Sequence, residues 1–77
     1  MFDLFISETC PYCQKVIDYF EENNISYNKK YVSEPDNLNM LLKLGGVAQV
    51  PFLDDPQKGV SMYESEDIIN YVKNNRG

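Results

Sequence analysis

Residues 2–20, Phe2-Asp3-Leu4-Phe5-Ile6-Ser7-Glu8-Thr9-Cys10-Pro11-Tyr12-Cys13-Gln14-Lys15-Val16-Ile17-Asp18-Tyr19-Phe20, decide the fold. Phe2 to Ile6 is short, mostly apolar and aromatic, and stops at the polar Ser7-Glu8-Thr9, the pattern of a buried strand. From Cys13 the period changes. Cys13, Val16, Ile17 and Phe20 recur at i, i+3, i+4 and i+7, one face of a helix that fades at Glu21-Glu22-Asn23-Asn24. Pro11 suits the first helical turn, where its missing N–H has no partner to lose. The only two cysteines of the chain therefore sit at a strand-to-helix junction.

That placement suits thiol–disulfide exchange. A thiolate must attack one sulfur of a disulfide, and a second thiol must be near enough to release the mixed intermediate. With Pro11 and Tyr12 between them, Cys10 and Cys13 meet within one helical turn. Unpaired N–H groups and the positive end of the dipole at the helix start favour a thiolate at Cys10. A structural zinc site wants four ligands, and two cysteines without any histidine cannot build one alone. A zinc or iron–sulfur site shared across a dimer stays open. A purely structural disulfide is a poor reading, because so short a loop gains little from closure.

The remaining elements follow from the same rules. Ile25 to Val32 reads as a second strand near a sheet edge, since Asn28-Lys29-Lys30 must face water. Ser33-Glu34-Pro35-Asp36 starts a helix whose apolar face is Leu38, Leu41 and Leu42 and which ends at Gly45-Gly46. Pro51-Phe52-Leu53 is a third strand, closed by a turn at Asp54-Asp55-Pro56. Lys58-Gly59 leads into a fourth, Val60 to Tyr63. Ser65 offers an N-cap hydroxyl to a last helix, Glu66 and Asp67 its first-turn acids, and Ile68, Ile69 and Val72 its buried face. The order is β-α-β-α-β-β-α, an α/β arrangement. A right-handed crossover makes the first two strands parallel, and the last two form an antiparallel hairpin. The expectation is a four-stranded mixed sheet with helices on both faces.

At 77 residues this is one domain, residues 1–77, near the lower limit for a single unaided core. A net charge of −5, from 12 acidic and 7 basic residues, argues against nucleic acid or anionic membrane as partner. No apolar run nears the roughly 20 residues of a membrane span, and Met1-Phe2-Asp3-Leu4 lacks the basic segment of a secretory signal. The cytoplasm is the expected compartment, where a close cysteine pair is catalytic or metal-binding more often than structural.

Cys10-Pro11-Tyr12-Cys13, Val50-Pro51 and Tyr63-Glu64-Ser65-Glu66-Asp67-Ile68 together resemble a glutaredoxin of the small dithiol kind, within the thioredoxin-like superfamily. The resemblance covers essentially the whole chain. Glu64-Ser65 is also similar to the glutathione-binding segment in the N-terminal domain of glutathione transferases. The resemblance implies a thioredoxin-like fold and a monomeric glutathione-dependent thiol oxidoreductase. Glutathione would be a co-substrate and no cofactor or metal would be held permanently. Partners would be disulfide-bearing or glutathionylated proteins. It further implies Cys10 as nucleophile, Cys13 as resolving thiol, and a cis Val50–Pro51 bond whose valine backbone meets the cysteinyl part of glutathione. Ser65 and Glu66, and to a lesser degree Glu64, would hold the γ-glutamyl end, with Tyr12 flanking the peptide.

The chain departs from the family pattern twice. Many members carry a lysine three residues before the first cysteine, where Ser7 stands here with Glu8 beside it. A threonine often precedes the Val-Pro pair, and here it is Gln49. Lys15 and Lys43 are the cations available to compensate. Two rivals share the fold: a redoxin reduced by thioredoxin reductase that feeds a reductase, and a glutathione-bridged iron–sulfur module.

Overall fold

In the computed structural model, which describes residues 1–75, the strand read from Phe2-Asp3-Leu4-Phe5-Ile6 lies inside the sheet and is buried on both faces. The elements are β1 (Phe2–Ile6), α1 (Pro11–Glu22), β2 (Tyr27–Tyr31), α2 (Pro35–Gly45), β3 (Phe52–Asp55), β4 (Val60–Met62) and α3 (Ser65–Asn74). Residues 76 and 77, the last two of the expected domain, lie outside the described residues. Strand order is β2-β1-β3-β4. β1 and β2 are parallel, while β1–β3 and β3–β4 are antiparallel. This is a four-stranded mixed sheet flanked by three helices, the thioredoxin-like fold.

Alternation along β1 divides the core. Phe2, Leu4 and Ile6 pack with Leu53 against Cys13, Val16 and Phe20 of α1 and Ile68 and Val72 of α3. Phe5 points to the other face, where it meets Phe52 and Leu41 of α2. The Phe5 and Phe52 rings pair edge-on at 5.6 Å. Side chains this size each stabilise the fold by about 1.5–3 kcal/mol when fully buried. Helices on both faces therefore follow from two opposed apolar rows on one strand.

Several boundaries differ from expectation. Ile25 gives its N–H to the Phe20 carbonyl at 2.9 Å, closing α1 instead of joining the sheet, so β2 begins at Tyr27. Leu42 is exposed, because the buried side of α2 runs through Leu38 and Leu41 and Leu42 lies a further 100° round. Asp54 and Asp55 continue β3 rather than forming a turn. Asp55 is buried there because its carboxylate accepts the Tyr71 hydroxyl at 2.7 Å. Ser65 is the first residue of α3, not its cap, which is Glu64. Tyr63 lies just beyond β4.

The antiparallel pairings bring three loops to one end of the sheet. The exit of β1, the entry to β3 and the exit of β4 are neighbours, since Phe5 faces Phe52 and Leu53 faces Met62. These loops carry Cys10, Val50-Pro51 and Glu64-Ser65.

Candidate active site

Cys10 is the N-cap of α1 and takes the extended backbone that a cap requires. Its sulfur does what a cap side chain does, accepting the Cys13 N–H at 3.2 Å. The Cys10 thiol also donates to the Val50 carbonyl at 3.8 Å, a sulfur-length contact that joins the first loop to the second. Cys10 is partly accessible, whereas Cys13 lies in the core against Val16. Burial pushes the Cys13 thiol up from 9.0 to about 12, and its hydrogen bond with Cys10 adds to the rise. The Ser7 backbone pulls the other way. Cys13 is thus held as a protonated thiol behind the accessible Cys10, both sulfurs being free.

The Val50–Pro51 peptide bond is cis. Beside it opens a cleft of about 400 Å³ lined by Tyr12, Lys15, Gln49, Val50, Pro51, Glu64, Ser65 and Glu66. Every non-cysteine residue expected at the site lies on this one cleft. Tyr12 forms an outer wall, with 66% of its surface exposed. Ser65 is buried at the start of α3, where the unpaired N–H groups of the first turn lie. Glu66 is exposed and forms an ion pair with Lys15 of α1 across the cleft. Glu64 also lines the cleft, so the Glu64-Ser65-Glu66 run presents two carboxylates, one of them engaged by Lys15.

The departures from the family pattern sit at the site as well. Ser7 accepts the Cys10 N–H through its carbonyl at 3.4 Å, and Gln49 lines the cleft. Lys15 stands on the cleft. A larger cleft of about 540 Å³ opens at the other end of β1, around Met1, Asn23, Asp55 and Lys58. It contains neither cysteine nor any expected site residue, so size does not mark the site here. Among the described residues, no group of three or more His, Cys, Asp or Glu side chains could hold a metal ion. No helix among them is long and apolar enough to cross a membrane.

One contributor was missed. Tyr63 reaches back from the end of β4 to the loop before Pro51, donating its hydroxyl to the Val47 carbonyl at 2.8 Å and accepting the Val47 N–H at 3.1 Å. No sequence pattern distinguishes such a tyrosine from a strand residue, because its partner is 16 positions away.

Residues 4–77 match the family model described as glutathione S-transferase, N-terminal domain, and the chain belongs to that family. A search of the curated proteins found no match. Among solved structures, glutathione transferase Omega 3C from Trametes versicolor superposes with a TM-score of 0.82 at 27% identity, covering 95% of this chain and 30% of that one. Glutaredoxin 2 from Salmonella typhimurium, solved in complex with glutathione, gives 0.80 at 28% identity, with 96% and 33% covered. A thioredoxin-like protein gives 0.77 at 19% identity, with 91% and 97% covered, and speaks for the fold alone. The chain spans about a third of the transferase and glutaredoxin chains and nearly all of the thioredoxin-like one.

Proposed function

We propose that this member of the glutathione S-transferase N-terminal domain family works as a dithiol glutaredoxin, with residues 1–77 as one monomeric cytoplasmic domain. The observation that carries the reading is Cys10 itself, an accessible sulfur at a helix start, one contact away from Val50 on a peptide-sized cleft.

With a glutathionylated protein, the Cys10 thiolate attacks the glutathione sulfur of the disulfide. A bond forms between Cys10 and glutathione, the old S–S bond breaks, and the protein sulfur leaves as a thiolate that takes up a proton. A second glutathione thiolate then attacks the glutathionyl sulfur, releasing oxidised glutathione and the Cys10 thiolate. With a protein disulfide, Cys10 forms the mixed disulfide and Cys13 resolves it after losing its proton. The resulting Cys10–Cys13 disulfide is reduced by two glutathione molecules, which leave as one disulfide. Tyr12, Val50 and Pro51 would flank the cysteinyl part of glutathione. Ser65, with the α3 N-terminus, would take the γ-glutamyl carboxylate, and Glu64 or Glu66 its ammonium.

The test is reduction of a glutathione mixed disulfide, coupled to NADPH through glutathione reductase. Turnover that saturates with glutathione is expected. Turnover that needs thioredoxin reductase and ignores glutathione would replace this reading with the reductase-fed one.

A further inference from the structure

We infer that Tyr63 is a positioning residue for the glutathione cleft, an inference that rests on the glutathione-dependent reading above. Its hydroxyl uses both its donor and its acceptor on a single residue, Val47. Val47 is 55% exposed, so little packing holds this segment, and the hydroxyl engages both polar groups of its backbone. The same Val47 carbonyl accepts the Gln49 N–H at 2.9 Å. Gln49 is bonded to Val50, whose carbonyl faces the Cys10 thiol. A continuous path therefore runs from Tyr63 through Val47 and Gln49 to the backbone beside the nucleophile.

Tyr63 is also bonded to Glu64, which with Ser65 lines the same cleft as Gln49, Val50 and Pro51. One hydroxyl thus ties the wall that would meet the cysteinyl part of glutathione to the wall that would meet its γ-glutamyl end. The ring itself is held firmly. It packs against Phe52 at 4.7 Å between centroids and lies so close over Gly45 that an added Cβ would meet the Tyr63 hydroxyl oxygen first, then come within 2.7 Å of Tyr63 Cζ and 2.9 Å of Phe52 Cε1. Glycine at 45 lets the ring approach. The ring contact with Phe52 does not need the hydroxyl, so it survives Tyr63→Phe while the bonds to Val47 are lost.

The experiment compares Tyr63→Phe with wild type in the glutathione-coupled assay, together with the Cys10 alkylation rate and the Val47 amide exchange rate. Loss of a hydrogen-bonded tie worth about 1 kcal/mol corresponds to about a fivefold rise in KM for glutathione. The alkylation rate of Cys10 should stay unchanged, kcat should fall much less than KM rises, and Val47 should lose exchange protection. Gly45→Ala, which displaces the ring, should raise KM similarly, and adding Tyr63→Phe to it should raise KM no further. An unmoved KM in Tyr63→Phe, whatever its melting temperature, overturns this inference alone. A wild type that turns over no glutathione removes the functional reading and this inference with it.

Discussion

The Cys13 backbone N–H points at the Cys10 sulfur, 3.2 Å away, so the main chain of one cysteine holds the side chain of the other in place. Replacing the Cys13 side chain leaves that N–H in place, and replacing Cys10 removes the sulfur that would attack in the proposed reaction. Cys10→Ser should reduce all exchange to background. Cys13→Ser should keep reduction of glutathionylated substrates and lose reduction of protein disulfides that need a second thiol. The glutathione-coupled assay with both substrate classes checks this, and a Cys13→Ser variant inactive toward both would reverse the roles.

Cys13 also gives the protein an alkaline weakness. Its folded value, about 12, lies above the ordinary 9.0, so between these two values the folded state keeps a proton that the unfolded chain has lost. The stability this contributes is complete below about pH 9 and is lost as pH rises toward 12. Tm measured against pH should therefore fall more steeply above pH 9 in wild type than in Cys13→Ala. Tyr27, also raised to about 12 by burial and its bond to Glu21, acts in the same direction in both proteins and cancels.

Asp3 and Asp54 face each other directly across β1 and β3. Burial first, then Asp3 and Asp55, raise the Asp54 carboxyl above 3.8, and like charges directly opposite destabilise a sheet. A raised carboxyl favours the folded state at low pH and disfavours it once ionised. Asp54→Asn should raise Tm at pH 7, and the gain should close as pH falls below about 3.8. A gain equal at pH 3 and pH 7 would mean the charge is not its source.

Tyr71→Phe would leave the buried Asp55 carboxylate without its hydroxyl donor. The expected cost is about 1–3 kcal/mol, measured by urea unfolding, with glutathione KM unchanged because the pair lies away from the cleft.

Glu66→Gln removes an exposed ion pair with Lys15, worth under about 1 kcal/mol, so Tm should barely move. If Glu64 takes the glutathione ammonium, Glu64→Gln should raise KM more than Glu66→Gln does. The reverse ranking assigns the ammonium to Glu66, at the expense of its bond with Lys15.

How much of this was legible depended on whether the cause was local. The limits of β1 and α1 could be read because an apolar run, a proline and a helical period lie within the segments themselves. The same is true of Gly46, which ends α2 with φ of +86°, a backbone that favours glycine. Asp54-Asp55 looked like a turn because two carboxylates next to a proline are polar punctuation, and the hydroxyl that permits their burial comes from Tyr71, 16 residues on. The cleft residues were grouped through a family resemblance. Nothing in their spacing puts Lys15 opposite Glu66, 51 positions apart, or Tyr63 on Val47. Those links exist only once the sheet has brought three loops to one end.

The strand order β2-β1-β3-β4 also has a consequence for behaviour in a crowded solution. It leaves two border strands, β2 and β4, beside which another chain could add a strand. One border, β4, is three residues long, too short to template a stable ladder. The other, β2, carries Lys29 and Lys30, which a docking strand would have to crowd and dehydrate. Both borders are therefore poor templates for edge-to-edge pairing, one through its length and the other through its charge.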